Sequence, residues 1–310
     1  MLNVHTMLWN DVEEFSFTDA DLSPIRELSG DISVTCHSSV SSFLAQAHSA
    51  ELVLTWNFES DWYAACPALS RIMTPAAGRD WVAPDPAGRV SVSHGTFHGP
   101  VLAESLVEAL LFMNRRMKAM LANFEERHWD RNLQTGCPLL ADQTVLIIGY
   151  GNIGQACARL VHAFGARVIG VRRTPAASDS DPGSPARVVG TAQLDEVLPM
   201  ADHVVLLLPG DETTEGFMSR DRLLGCRENA FVYNFGRGGS LRSADLLAAM
   251  DHLGGAYLDV TDEEPLPPDS PLWQHEKVMI TPHSSCVTRS YRQRFITEVC
   301  EHLAQQVPGS

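Results

Sequence analysis

The sequence predicts an α/β protein built around a doubly wound parallel sheet. Three observations favour this fold class. Over the second half of the chain, short apolar runs rich in Val, Ile and Leu alternate with segments of helical periodicity. The runs are nearly continuous, as in strands that are buried on both faces. A glycine-rich turn follows the first of them and opens a helical segment.

The glycine-rich turn lies between the apolar run Thr144–Ile148 and the helical segment Gln155–Phe164, and Ala166–Val171 is predicted as the next strand. In this context the first glycine permits a tight turn, the second lets the backbone approach a pyrophosphate, and the third packs helix on strand. The turn therefore predicts a dinucleotide site, and a structural turn with incidental glycines is the alternative. Its residues are Gly149, Tyr150, Gly151, Asn152, Ile153 and Gly154.

The alternation continues after this turn and accounts for the remaining elements of the domain. The predicted strands are Arg187–Val189, His203–Leu208, Phe231–Phe235, Ala256–Val260 and Val278–Pro282, and the predicted helices are Ala192–Leu198, Arg220–Leu224 and Ser243–Met250. Strands that alternate with helices in this way form parallel sheets. We therefore expect a doubly wound nucleotide-binding domain.

Three polar residues follow the ends of predicted strands, namely Arg237, Glu264 and His283. Residues just past the carboxyl ends of parallel strands converge on one crevice, where ligands bind. Taken singly, each is more simply a solvated loop residue or a structural histidine. Their joint placement predicts a proton-transfer site with a cationic clamp for an anion.

The first hundred residues form a different unit. Strands are predicted at Leu52–Thr55, Arg71–Met73 and Val90–Ser93, and Val101–Phe124 is predicted to be one long helix between the two units. Arg289–Gln305 is predicted as a helix that returns to the first unit. We therefore expect a smaller domain of residues 1–99 and 284–310, and a dinucleotide-binding domain of residues 100–283.

Composition favours a soluble two-domain enzyme, since the 310 residues are 45% hydrophobic and 20% charged. The net charge of -15 argues against a nucleic-acid partner, because duplex binding needs a basic surface. No apolar run is long enough for a membrane span, and Met1–Phe15 has acidic residues where a signal peptide has basic ones. We expect a cytoplasmic protein without a membrane partner.

The cysteines and histidines predict neither a disulfide framework nor a metal site. The seven cysteines are odd in number, scattered and never spaced as CxxC, which favours buried, reduced thiols. None of the twelve histidines forms an HxxxH pair on a predicted helix.

Four segments of the chain resemble the D-isomer-specific 2-hydroxyacid dehydrogenase family, particularly its glyoxylate/hydroxypyruvate reductase branch. They are GYGNIG at 149–154, NFGRGG at 234–239, LDVTDEEPLPPDSPLW at 258–273 and ITPHSS at 280–285, and the resemblance extends from about Arg71 onward. It implies a Rossmann cofactor domain plus a smaller flavodoxin-like α/β substrate domain that the C-terminal helix completes. It also implies a homodimer joined through the cofactor domains, and reduction of a small 2-oxo acid to the D-2-hydroxy acid.

The resemblance assigns roles to individual residues. Arg237 would hold the carboxylate and carbonyl of the oxo acid, His283 would be the acid or base, and Glu264 would orient and charge-stabilise that histidine. The resemblance also implies that Asp259, Leu208 and Pro209 contact the cofactor. It implies that Trp56 and the backbone of Ala77 and Gly78 contact the substrate. Several positions depart from the family pattern. Among them are Arg242 in place of an acidic residue or Asn, and Thr261 in place of an aromatic residue.

The end of the second strand predicts the cofactor preference. An acidic residue there would accept hydrogen bonds from both ribose hydroxyls, whereas this chain has Arg172 and Arg173, which suit a 2′-phosphate. NADP(H) is therefore the expected cofactor, and NAD(H) is the alternative if both side chains point into solvent. The second hypothesis for the whole protein is a nucleotide-sensing, corepressor-like interaction protein on the same fold.

Overall fold

The computed structural model of the chain describes residues 1–175 and 185–305. These residues divide into two compact units, one formed by Met1–His98 with the segment from Val287 onward, and the other by Gly99–Cys286. The domain boundaries predicted from the sequence, after residues 99 and 283, lie one and three residues away from the observed boundaries. None of the helices in the described ranges is both long and apolar enough to cross a membrane.

The elements are as follows in chain order. The strands are β1 (Leu2–Met7), β2 (Ile32–Cys36), β3 (Leu52–Thr55), β4 (Arg71–Thr74), β5 (Ser91–His94), β6 (Thr144–Ile148), β7 (Arg167–Arg172), β8 (Arg187–Gly190), β9 (His203–Leu206), β10 (Phe231–Asn234), β11 (Gly255–Leu258) and β12 (Val278–Ile280). The helices are α1 (Ser23–Glu27), α2 (Val40–Leu44), α3 (His98–Asn114), α4 (Met117–Glu125), α5 (Asn152–Ala163), α6 (Leu194–Val197), α7 (Arg220–Leu224), α8 (Ser243–Ala249) and α9 (Tyr291–Ala304), with short 3₁₀ turns between several of them.

The larger unit confirms the doubly wound parallel sheet. Its seven strands have the order β12-β11-β10-β9-β6-β7-β8, and every pairing is parallel. One apolar cluster packs α3 and α5 on one face, and a second cluster packs α6, α7 and α8 on the other. The strand order reverses between β6 and β9, which places the glycine turn after β6 at the position where such folds bind ligands.

The smaller unit has a five-stranded parallel sheet of order β2-β1-β3-β4-β5. The prediction of β3 is confirmed to the residue. The strands β1 and β2 have no counterpart among the predicted elements, because polar residues interrupt their apolar pattern. In particular, His5 in β1 is buried and hydrogen-bonds through Nδ1 to Nε2 of His37 at 2.9 Å.

The single long helix predicted over Val101–Phe124 is wrong, because the chain breaks there into α3 and α4. Arg116 has a left-handed backbone conformation with φ 54°. The break is held by contacts distant in sequence: Gln134 exchanges side-chain hydrogen bonds with Arg115, and the Arg116 guanidinium donates to the Leu133 carbonyl. Helical periodicity alone continues through this break, since it reflects only local spacing.

All seven cysteines are free, but the expectation that they are buried holds for only some of them. Cys66, Cys157 and Cys226 are buried, and burial raises the pKa of the Cys66 thiol to about 11. Cys36 is exposed, since it ends the edge strand β2.

Candidate active site

The glycine turn after β6 has the close contacts that a dinucleotide-binding turn requires. Gly149 has φ 106°, and a Cβ there would lie 2.4 Å from the Leu207 carbonyl oxygen. A Cβ on Gly154 would lie 2.5 Å from the Gly149 carbonyl oxygen, so α5 packs directly on the turn. At Gly151, by contrast, a Cβ would meet nothing within 4 Å. The backbone is therefore open at the start of α5, where amide groups and the helix dipole suit a pyrophosphate.

The other three residues of the turn have different positions. Tyr150 is buried, and its amide donates to the Val171 carbonyl at 2.9 Å. Its ring lies over Gly170, where a Cβ would come within 2.4 Å of it. Asn152 and Ile153 begin α5. The Tyr150 side chain therefore stabilises the turn by packing against β7.

The predicted cofactor residues after β7 and β9 lie at the same edge of the sheet. Arg172 ends β7 and Arg173 follows it as an exposed residue. Leu208 and Pro209 follow β9, and the Pro209 carbonyl accepts a hydrogen bond from Thr214. A hydrogen bond from Thr213 chiefly lowers the pKa of Asp211 in this loop, and the charge of Arg173 contributes. Arg173 and Asp211 therefore both follow strand ends at this edge of the sheet.

His283 and Glu264 form a hydrogen-bonded pair. The Nδ1 atom of His283 lies 2.9 Å from Oε2 of Glu264, and about two fifths of each side chain is exposed, 43% and 39%. The other oxygen of Glu264 accepts a hydrogen bond from the Thr261 amide at 3.1 Å. This geometry orients the imidazole with Nε2 available for a substrate.

Asp259 fixes the loop that carries His283. It is buried at the end of β11, and one carboxylate oxygen accepts from the Thr281 hydroxyl and the Ser284 amide while the other accepts from the Ser285 amide. Its backbone carbonyl accepts from the His283 amide at 2.8 Å. These contacts hold His283 at φ 50°, a left-handed conformation that is uncommon for histidine.

The loop after β10 carries Arg237 and approaches the Glu264 loop very closely. A Cβ on Gly238 would lie 1.7 Å from the Thr261 carbonyl oxygen, so the two backbones touch. Asn234, which is fully buried at the end of β10, donates to the Arg237 carbonyl and accepts from the Gly236 amide. Sequence reasoning did not predict the roles of Asn234 and Gly238, although the NFGRGG run contains both.

Electrostatic interactions favour an imidazolium next to a carboxylate. The hydrogen bond with Glu264 is the main cause that raises the pKa of His283, and the negative charges of Glu264 and Asp259 raise it further. Burial and the positive charge of Arg237 act to lower this pKa. Burial acts to raise the pKa of Glu264, but the hydrogen bond and charge of His283, the Thr261 amide and the Arg237 charge outweigh it and lower the pKa. Since Arg237 acts on both groups, the three predicted catalytic residues belong to one charged cluster.

The other three predicted substrate residues, Trp56, Ala77 and Gly78, lie in the smaller unit. Trp56 is 8% exposed, its indole N–H donates to the Phe15 carbonyl, and its ring stacks on Tyr291. Ala77 is exposed and Gly78 partly so, in the loop that follows β4. Trp56 therefore has the contacts of a core residue within this unit, whereas the backbone of the loop is accessible.

Comparison with known proteins gives the family. The model of the D-isomer specific 2-hydroxyacid dehydrogenase NAD binding domain matches residues 107–285, more than half of the chain. This chain belongs to the D-isomer specific 2-hydroxyacid dehydrogenase family, and it is thus a member of a family of oxidoreductases with a nicotinamide cofactor.

Named relatives differ in their substrates. The chain is 31% identical over 261 residues to D-3-phosphoglycerate dehydrogenase of Mycobacterium tuberculosis, covering 81% of this chain and 47% of that protein. It is 37% identical over 163 residues to glyoxylate/hydroxypyruvate reductase A of Salmonella typhi, covering 50% and 51%. The chain thus spans about half the length of the curated relatives that it matches.

Among solved structures, a probable 2-hydroxyacid dehydrogenase from Rhizobium etli superposes with a TM-score of 0.81 at 25% identity, covering 98% of this chain and 94% of that one. That protein was solved in complex with NADP, HEPES and L(+)-tartaric acid.

Proposed function

We propose that the protein reduces a small 2-oxo acid of the glyoxylate or hydroxypyruvate type to the D-2-hydroxy acid, with NADPH as the preferred cofactor. The observation that carries this proposal is the His283–Glu264 hydrogen bond with Arg237 in the same charged cluster. It combines an acid of raised pKa with a cation that suits a carboxylate. The open glycine turn at Gly151 is the second support.

Each residue has a distinct task in this reaction. The cofactor supplies the hydride when it is bound. Arg237 would hold the oxo acid through a bidentate contact with its carboxylate, which fixes the carbonyl carbon in one orientation. His283 would donate a proton from Nε2 to the substrate oxygen as negative charge develops there, and Glu264 would stabilise the imidazolium form.

A panel of oxo acids tests this function directly. We expect NADPH to be oxidised on addition of glyoxylate or hydroxypyruvate, and NADH more slowly. 3-Phosphohydroxypyruvate belongs in the panel, because a matched relative is a D-3-phosphoglycerate dehydrogenase. If no oxo acid were reduced while NAD(P)H still bound, the corepressor-like alternative would replace the proposal.

Replacing Arg237 by Lys tests the substrate contact. The variant keeps the charge but loses the planar pair of donors, so kcat/KM for the oxo acid should fall by about tenfold or more. The matched control is Arg242→Lys, in the same segment, where the guanidinium pairs with Glu215 at the surface. Near wild-type kinetics of Arg237→Lys would assign Arg237 a structural role.

The cofactor preference rests on two neighbouring cations, Arg172 at the end of β7 and the exposed Arg173 that follows it. Arg172→Asp should weaken the use of NADPH far more than that of NADH, because the new carboxylate repels a 2′-phosphate and accepts from a ribose hydroxyl. It should also flatten the salt dependence of NADPH binding. Arg187→Asp, at an exposed position that begins β8, is the control. Equal efficiency of the unmodified protein with both cofactors would contradict the preference.

We also propose a homodimer joined through the larger unit. Apolar side chains on α4 and on the segment after it are exposed, Leu121 by 49%, Phe124 by 79%, Trp129 by 89% and Leu139 by 63%. A second copy would cover such a surface. Light scattering should therefore give twice the 34.0 kDa chain mass, and Trp129→Asp should lower it. A monomer mass for the unmodified protein at micromolar concentration would contradict the dimer.

A further inference from the structure

The larger unit contains a cavity of about 620 Å³ at the amino ends of its parallel strands. Of the residues that line it, Gln143 directly precedes β6, Asp202 precedes β9 and Lys277 precedes β12. The candidate catalytic residues instead follow the carboxyl ends of β10, β11 and β12, at the opposite edge of the same sheet. The cavity is therefore separate from the site proposed for hydride transfer.

Both lysines of the chain line this cavity, although they are only two of its 23 basic residues. The ammonium of Lys118 on α4 donates to the carbonyls of His275 and Val278 at 2.9 and 2.6 Å. That of Lys277 donates to two carbonyls just after α8, at 3.2 and 3.1 Å. Since an ammonium has three N–H donors, each lysine keeps one for a ligand. Within the described ranges, neither lysine forms an ion pair with a carboxylate.

The charges around the cavity suit a ligand that carries groups of both signs. Four basic and three acidic side chains line it, and one of each sign, Arg227 and Asp202, form an ion pair at 2.6 Å. Three cations and two carboxylates remain, of which Arg116 and both carboxylates are exposed. Burial lowers the pKa of Lys118, and the charge of Glu276 opposes this. A ligand carboxylate beside Lys118 would offset the cost of burying its charge.

The rest of the wall combines apolar side chains with two buried amides. Phe112, Met113 and Phe231 contribute apolar surface. Asn114 and Gln143 are 4% and 6% exposed, and among the described residues their oxygens Oδ1 and Oε1 have no hydrogen-bonding partner. The Asn114 amide nitrogen donates to a backbone carbonyl at 3.1 Å, which fixes the orientation of that amide. Because unpaired buried acceptors are costly, these oxygens favour a ligand that supplies N–H donors.

We propose that this cavity binds an α-amino acid with an apolar side chain. Its carboxylate would bind Lys118 and Arg116 through charge-assisted hydrogen bonds. Its ammonium would donate to the amide oxygens of Asn114 and Gln143, and its side chain would pack among the Phe and Met side chains of the wall. The cavity volume lies within the range of small-molecule sites. The inference goes beyond the proposed function and does not rest on it.

The two lysines make the site directly observable. In full-length protein with ¹³C-labelled lysine, every lysine signal comes from a residue of the cavity, and Lys277→Arg assigns the signals of Lys118. L-Phenylalanine should shift these signals and raise the pKa of Lys118, because a carboxylate favours the ammonium form. 3-Phenylpropanoate lacks the ammonium and phenethylamine lacks the carboxylate, so each should bind about tenfold more weakly or worse.

Two variants test the contacts by calorimetry. Lys118→Met removes the ammonium and should raise the Kd for phenylalanine by about tenfold or more. Since it also removes two contacts with backbone carbonyls, Ala119→Trp provides an independent test. It leaves every charge in place and fills the cavity from an exposed lining position, so the Kd should rise similarly. Arg187→Met removes a cation from the exposed position that begins β8, and as the matched control it should bind like the wild type.

Unchanged lysine signals at millimolar phenylalanine would overturn the inference. So would equal binding of phenylalanine and phenethylamine, or wild-type Kd values in both Lys118→Met and Ala119→Trp. Light scattering belongs in the same experiment, because Leu121 and Leu139 of the proposed dimer surface are close in sequence to residues that line the cavity. A dimer in which phenylalanine leaves the lysine signals unchanged would assign the cavity to the contact between copies, against the inference.

Discussion

The His283→Asn variant should bind a nicotinamide cofactor but reduce oxo acids with a kcat about 10²- to 10⁴-fold below that of the wild type, because a positioned acid contributes that much. Asn is the suitable replacement, since residue 283 has φ 50° and Asn tolerates this left-handed conformation better than most residues. Steady-state kinetics with a cofactor titration would measure both quantities. Loss of cofactor binding together with kcat would indicate a disturbed fold.

The carboxylate of Glu264 should control the pH dependence of proton donation by His283. Reduction needs the protonated imidazole, and Glu264 raises the pKa of His283 through their hydrogen bond and its charge. Without that charge the imidazolium is lost at a lower pH, so in Glu264→Gln the high-pH limb of the kcat/KM profile should move to lower pH. Glu263→Gln, at the adjacent exposed position, is the control and should leave the limb in place. A Glu264→Gln profile that overlays the wild type would falsify the coupling.

Gly238→Ala should lower kcat/KM by about 100-fold, although the residue has no side chain to contribute to the chemistry. The new methyl group would lie 1.7 Å from the Thr261 carbonyl oxygen, so the loop of Arg237 must move away from that of Glu264. Displacement of a catalytic group by about 1 Å can cost two orders of magnitude in rate.

A glycine without close neighbours provides the control for this substitution. Gly30→Ala adds the same methyl group where nothing lies within 4 Å, and should leave the kinetics unchanged. The two variants should be compared by kinetics and by melting temperature. If Gly238→Ala kept wild-type kinetics, the contact between the two loops would not determine the position of Arg237.

The sequence predicts the buried strands of this fold well, because their signal is local. The apolar runs that predict β3 and β6 coincide with the observed strands. The break at Arg116 could not be predicted in this way, since contacts with Leu133 and Gln134 hold it. The strand β1 was missed because buried His5 finds its partner in His37, on a separate segment.

The candidate site also combines features with a local sequence signal and features that depend on contacts between distant segments. Arg237, Glu264 and His283 could be selected from the sequence because each follows a strand, and strand ends converge in a parallel sheet. The supporting contacts depend on how separate loops meet in space. Asp259, for example, was assigned to the cofactor by resemblance, while its carboxylate accepts three hydrogen bonds from the loop of His283.

The packing of Tyr150 on Gly170 has a consequence for engineering. A Cβ at position 170 would come within 2.4 Å of the tyrosine ring, so the aromatic residue of the turn fits only while the neighbouring strand carries glycine there. Grafting this turn into a relative, or exchanging it for another in a chimera, should therefore succeed only when residue 170 is exchanged as well. The two positions form one transferable module, although twenty residues separate them along the chain.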